Sequence, residues 1–190
     1  MDFTAWEPTY KEILQDFGFS QEEDEQAALL LSHLLEGKVS PGPEALKRKI
    51  TGKDVLVCGN APTLAEDLDG LDLGRYVMIA ADGATAVVMD AGRMPDVIVT
   101  DLDGDVEREV EASKQGSLVV VHAHGDNMDK LLNYVPRLQN VIGSTQAVPL
   151  ENVFNFGGFT DGDRAVYVAH EFGAGTIKLA GFFFDDPVVS

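Results

Sequence analysis

Cysteine is all but missing from this chain of 190 residues, where Cys58 stands alone. One thiol cannot close an internal disulfide or build a structural zinc site, and its place in the apolar run "DVLVCG" predicts a buried, inert side chain. Basic residues are scarce as well. There are 14 Lys and Arg against 32 Asp and Glu, a formal net charge of −18. That surface repels the phosphates of nucleic acid and anionic lipid, so neither is expected as a partner. No apolar run approaches the roughly 18 residues of a membrane span, and no basic start leads into an apolar stretch. A cytoplasmic enzyme or binding protein is the expectation, and no internal repeat or low-complexity tract complicates it.

What is present is a 45% hydrophobic composition, enough to build a core for one domain with an appendage. The appendage reads as a helical segment over 1–50. "PTYKEILQDFGF" has apolar positions at helical spacing, and "SQEEDEQAALLLSHLLEG" opens with Ser20 and Glu23 as a capping box and closes at Gly37. Its stripe of Leu30, Leu31, Leu34 and Leu35 must pack either on the main domain or on a second subunit, which makes a homodimer one expectation. No chemistry is expected of this segment. A short basic helix, "EALKRKI", follows a proline-rich joint.

Residues 51–190 read as an α/β catalytic domain. Seven short β runs, "DVLVCG", "YVMIAAD", "DVIVTD", "SLVVVHAHG", "NVIGS", "NVFNFGG" and "TIKLAGF", alternate with amphipathic segments. Near-continuous apolar strands separated by helices predict a mainly parallel, Rossmann-like sheet covered by helices on both faces. In such sheets ligands bind beyond the carboxyl ends of the strands. Those ends read "CGNAPTL", "AADGA", "VTDLDGD", "HAHGDNMD" and "FNFGGFTDGDR", each rich in glycine, carboxylate or imidazole.

If these strands are neighbours, Asp82, Asp101, Asp103 and Asp126 converge on one site. Two carboxylates about 5 Å apart at an effective dielectric near 20 repel by roughly 3 kcal/mol, so a cation is expected between them. Hard oxygen ligands suit magnesium, which bridges to substrate phosphates. For Asp105 and Asp129 a helix N-cap is the simpler role. Gly59 in "GNAPTL" lies between strand and helix, where backbone amides can approach a phosphate. Arg164 is either a structural partner for Asp161 or Asp163 or a stabiliser of transferred phosphoryl charge. His122 and His124 are candidate ligands, acid/base groups or substrate contacts.

The spacing of Asp101, Asp103 and Asp105 opens like an EF-hand, but Val106 and Ala112 stand where that loop needs glycine and glutamate. "VIVTDLDGD" resembles the haloacid-dehalogenase signature, with Asp101 as nucleophile. Two strands with loops of their own precede it, and "GDNMD" follows too soon for that family's intervening strand. A nucleotide- or metal-binding module without turnover is a further alternative.

The ordered series "CGNAPTL", "ADGA", "PDVIVTDLDGD", "HAHGDNMDKL" and "FNFGGFTDGDRAVYVA" resembles the archaeal type of 6-hydroxymethyl-7,8-dihydropterin pyrophosphokinase, a family related to thiamine pyrophosphokinases. The resemblance implies transfer of the β,γ-diphosphate of ATP to a reduced pterin alcohol with release of AMP. It implies Mg2+ at Asp82, Asp101, Asp103 and Asp126, with Asp101, Asp103, Asp126, His124 and Arg164 as the catalytic set. His124 stands where the thiamine enzymes have another Asp. ATP and pterin would be held by Gly59, Asn60, Ala61 and Pro62, by Asp82, Gly83 and His122, and by Gly157, Gly158, Thr160, Asp161 and Asp163. The chain stops at "AGFFFDDPVVS", where relatives continue into a lysine-rich helix, so Arg164 is expected to carry more of the phosphate charge.

Overall fold

In the computed structural model, which describes residues 3–183, three helices precede the sheet: α1 (Phe3–Phe17), α2 (Gln21–Leu35) and α3 (Gly42–Ile50). Ser20 caps α2 by accepting the Glu23 N–H at 3.3 Å. Seven strands follow: β1 (Asp54–Cys58), β2 (Val77–Ala81), β3 (Val97–Thr100), β4 (Leu118–Ala123), β5 (Val141–Thr145), β6 (Val153–Phe154) and β7 (Thr176–Ala180). They match the seven β runs, and every pairing is parallel. Between them lie α4 (Leu64–Leu68), α5 (Ala84–Asp90), α6 (Val106–Lys114), α7 (Met128–Tyr134) and α8 (Asp161–Glu171). The stretch "FDDPVVS", on which the comparison with a lysine-rich helix turned, lies outside the described residues.

The strand order is β6-β5-β4-β3-β2-β1-β7. From β1 to β5 the chain steps steadily one way, and right-handed crossovers then set α4 to α7 on a single face. That face shows Leu56, Met78 and Ala80 to α4 and α5, and Ile98, Val119 and Val121 to α6 and α7. The alternate residues Val55, Val57, Ile79, Val99 and Ile142 point the other way, toward α3 and α8. The return from β6 to β7 reverses the direction of travel, so α8 covers the second face. Both faces are thus buried, which explains why the strands lack polar alternation. Cys58 is fully buried in this packing, and burial pushes its thiol up to about 12.

The leucine stripe of α2 is covered by the chain's own sheet. Leu31 and Leu35 are buried with Val119, Val121 and Val153, while Leu30 and Leu34 pack at the margin. Ser32 and Asn152 clamp the helix to the loop before β6 through two hydrogen bonds, at 2.6 and 3.0 Å. Of the two partners that the stripe allowed, the structure shows the main sheet. No helix among the described residues is long and apolar enough to cross a membrane.

Because Leu31 is wholly buried between α2 and the sheet, Leu31→Ala should lower unfolding stability by about 2–5 kcal/mol in urea titrations. A change below half a kcal/mol would show that α2 is only loosely docked.

Candidate active site

The loops beyond the carboxyl ends of the strands enclose a cleft of about 940 Å³. Asp82 follows β2, and Asp101 and Asp103 follow β3; each offers a carboxylate oxygen, and the three oxygens lie within 4.8 Å of one another. Asp126 lines the same cleft from the turn after β4 but is not part of this group. That turn is a single 3-10 turn, Gly125–Asn127, which places Asp126 on the cleft wall. Asp105 is the N-cap of α6, accepting the Arg108 N–H, as expected. Asp129 is not a cap: it sits in the first turn of α7, one residue past the helix start.

The turn carrying the acids is held by polar contacts. Asp82 and Leu102 both adopt left-handed backbone, with φ of 44° and 69°, a conformation that costs about a kcal/mol or more outside glycine. Thr100 offsets part of this. Its hydroxyl donates to Asp82 Oδ1 at 2.9 Å and accepts the Leu102 N–H at 2.8 Å, and Gly104 N–H adds a second donor to Asp82 Oδ1 at 3.1 Å.

Glu109 of α6, in a segment that reads as amphipathic, is buried and approaches the same Thr100 oxygen at 3.1 Å. A hydroxyl has one hydrogen to give and two lone pairs. With that hydrogen on Asp82, the carboxyl of Glu109 must bring its own proton and donate. Burial first, and then the charge of Asp82, push the Glu109 carboxyl well above the usual range, in agreement with this count.

His124 Nδ1 accepts the Asp126 N–H at 3.4 Å, so its proton resides on Nε2, which donates to Asp101 Oδ2 at 3.1 Å. The imidazole therefore orients Asp101. Asn127 completes the clamp: its amide donates to the carbonyls of Asp101 and His122, and its carbonyl accepts the His124 N–H. Burial works against ionisation of Asp101, but the His124 hydrogen bond, with help from Asp103 and Lys130, holds its carboxyl below the ordinary range. Asp103 goes the other way, raised by burial and by Asp101 and Asp82, with Lys130 Nζ 3.7 Å away. The two neighbouring carboxyls are thus pushed in opposite directions by their surroundings. His122 is buried and neutral, with Nδ1 3.2 Å from Ser144 Oγ and Nε2 without a partner.

The "GGFTDGDR" loop has a more structural cast. Thr160 caps α8 and Asp163 closes the cap, accepting the Phe159 N–H and the Thr160 hydroxyl. Arg164 is 2% exposed; it donates to Asp161 Oδ1 at 2.7 Å and to the carbonyls of Phe159 and Gly158. Asp161 in turn accepts the Asp101 N–H at 3.1 Å, which fastens α8 to the acidic turn. Burial, with the charges of Asp101 and Asp82, outweighs Arg164 and pushes the Asp161 carboxyl up to about 7. Gly158 has a φ of +84°, and a Cβ there would come within 2.6 Å of the Arg164 backbone. Of the two roles open to Arg164, the structure shows the partner of Asp161, on the wall of the cleft.

Of the remaining candidates, Gly59, Asn60, Ala61 and Pro62 line the cleft, as do His122, Thr160 and Asp161; Gly83, Gly157, Gly158 and Asp163 stand behind the wall. Gly59 meets a structural demand besides any phosphate. A Cβ on it would come within 2.6 Å of the Gly181 carbonyl, where β1 and β7 end side by side.

The N-terminal helices, expected to carry no chemistry, form one wall through Phe19, Ser20, Glu23 and Asp24. Asp24 is buried and saturated, accepting from Gly125 N–H, Tyr10 Oη and Gln146 Nε2 at 2.9, 2.8 and 2.8 Å. An acidic helix start carries no periodic signal for this role, since Glu22, Glu23, Asp24 and Glu25 look alike in sequence.

The donor set fits a hard divalent cation. All three clustered ligands are carboxylates, and Asp101 Oδ1 is buried with no hydrogen-bond partner, an oxygen placed for an ion.

The family model described as 6-hydroxymethylpterin diphosphokinase MptE-like matches residues 30–186. The 6-hydroxymethyl-7,8-dihydropterin pyrophosphokinase of Pyrococcus furiosus is 45% identical, covering 97% of this chain and 79% of that protein. The protein of the same name from Methanothermobacter thermautotrophicus is 44% identical over 99% of this chain and 81% of its own length. That from Methanocaldococcus jannaschii is 41% identical over 97% and 80% respectively.

Glu109→Gln keeps a donor toward Thr100 while removing the titration. A carboxyl whose folded pKa is raised binds its proton more tightly in the folded state, so its contribution is full below about pH 4.3 and is lost as pH rises. Metal-free wild type should therefore lose stability relative to Glu109→Gln between pH 5 and pH 8 in denaturant titrations. A pH-independent difference would place a charged Glu109 in the core.

Proposed function

Because the chain belongs to the MptE-like 6-hydroxymethylpterin diphosphokinase family, we propose that it transfers the β,γ-diphosphate of ATP to the hydroxymethyl oxygen of 6-hydroxymethyl-7,8-dihydropterin and releases AMP, with Mg2+ held by Asp82, Asp101 and Asp103. The observation that carries the metal and phosphate reading is the convergence of three carboxylates, one with a buried, unpartnered oxygen.

The substrate oxygen forms a new bond to the β-phosphorus, and the bond from that phosphorus to the α,β-bridging oxygen breaks, leaving AMP. Such a displacement depends on alignment and charge neutralisation, so no protein nucleophile is required. Mg2+ at the three carboxylates would supply the positive charge that the non-bridging oxygens need. The chain itself does the positioning. Thr100 and Gly104 fix Asp82, while His124 and Asn127 fix Asp101. The hydroxyl proton needs an acceptor, and His124 has both ring nitrogens engaged. Asp126, in the cleft but outside the three-carboxylate group, is the acceptor that this arrangement favours. Arg164 keeps α8 and its loop against the acidic turn through Asp161.

Incubation with ATP, Mg2+ and the reduced pterin alcohol should yield AMP and the pterin diphosphate in equal amounts; ADP or inorganic phosphate as the main product would reject the transfer. Asp103→Asn should lower turnover by about a hundredfold or more while leaving the melting temperature of the metal-free protein unchanged or raised, since one member of a repelling set is neutralised. A clear loss of metal-free stability would make Asp103 structural. Since the raised Asp103 carboxyl must shed its proton to bind a cation, Mg2+ affinity measured by calorimetry should increase with pH. A flat profile would contradict a raised Asp103 carboxyl.

A further inference from the structure

The strand order gives the cleft two ends with the acidic group between them. Asp82, Asp101 and Asp103 follow the central strands β2 and β3. At one end, beyond β4 and β5, α2 brings Phe19 and Glu23 into the wall; at the other, beyond β1 and β7, stand Asn60 and Phe182. The reaction proposed above brings together two flat heterocycles, and each end offers an aromatic side chain.

At the α2 end, Phe17 and Phe19 are 60% and 40% exposed, an unusual exposure for phenylalanine. Their rings stack at 5.7 Å with 13° between planes, and Phe17 lies 5.1 Å from Phe159 across the cleft mouth. Such a surface suits the face of another flat ring. Glu23 is exposed beside it, with its stem against the Gly125 backbone next to His124. Its neighbour Asp24 has its oxygens filled by three donors from within the fold, so it is Glu23 that offers its carboxylate to a ligand. His122 Nε2 lines the same cleft from the last turn of β4, buried and without a partner.

The chemistry of the two rings differs at their edges. A 2-amino-4-oxopyrimidine ring presents two adjacent N–H donors, which one carboxylate accepts together. The adenine edge presents a donor beside an acceptor, which matches a carboxamide such as Asn60. A polyphosphate is repelled from the first turn of α2, with Glu22, Glu23 and Asp24, whereas a neutral pterin is not. Resting on the diphosphotransferase reading, we infer that the pterin ring binds at the α2 end, stacked on Phe19 and paired with Glu23, and that the nucleotide takes the β1/β7 end. The N-terminal helices are then the acceptor-specificity element of the site.

The test separates binding from turnover. Binding of the fluorescent oxidised probe 6-hydroxymethylpterin is measured by anisotropy, and binding of a non-hydrolysable ATP analogue with Mg2+ by calorimetry, for wild type, Glu23→Gln and Phe19→Ala. Both side chains are exposed, so the variants should melt like wild type. Each should weaken the pterin by about tenfold or more and leave the ATP analogue within about twofold. Unchanged pterin binding overturns the assignment, and so does selective loss of the ATP analogue, which would put adenine at this end. If wild type binds the pterin in a Glu23-dependent way yet produces no pterin diphosphate from ATP, the subsite stands and the transfer reaction fails.

Discussion

Carboxylates gathered at the carboxyl edge of a parallel sheet repel one another, and the polar contacts around that edge offset the repulsion. Thr100 and the Gly104 amide take up one oxygen of Asp82, and His124 takes up one of Asp101. Arg164, buried beneath the loop, balances Asp161. Where donors run out, burial and the neighbouring carboxylates raise the carboxyls of Glu109 behind Asp82 and of Asp103 at the mouth. Asp101 Oδ1 is a carboxylate oxygen that this compensation leaves buried without a hydrogen-bond partner. A cluster held in that state favours a cation strongly, because the surrounding groups have already fixed its geometry.

The direction of chain travel decides where this cluster falls. One-way progress from β1 places the loops of β2, β3 and β4 in series, so acids that are some twenty residues apart in sequence become neighbours. The reversal at β7 opens a second region beside β1. Between them α8 lies across the opposite face and reaches the acidic turn through Asp161. The fold thus places a central acidic group in a cleft that extends to either side of it, as the proposed joining of two substrates requires.

Much of this was legible in the sequence because it depends on local pattern. Short apolar runs located all seven strands, the Gly- and Asp-rich ends of five of them marked the edge that carries the cleft, and Asp105 followed from ordinary capping. The ordered motifs pointed to the family. What escaped were residues whose role is created by tertiary approach. Glu109 sits among Glu107 and Glu111 in an amphipathic helix, and nothing local distinguishes the one that turns inward under Thr100. Asn127 is hidden among acids, yet its amide joins the loops after β3 and β4. Asp24 accepts from Gln146 and Gly125, each more than a hundred residues away, as well as from Tyr10. Asp126 shows the converse: its strand-end position suggested the metal group, but a 3-10 turn carries it to the wall.

The pairing of β1 with β7 also bears on how the chain emerges during synthesis. The first strand made ends up beside the last, and the close approach of Gly59 to Gly181 joins positions separated by almost the whole sheet. Until the final strand leaves the ribosome, β1 presents a bare edge, and one flank of the cleft has no wall. A partly made chain therefore has its acidic turn before it has the whole cleft, whose β1/β7 flank closes only when the polypeptide has been translated through β7.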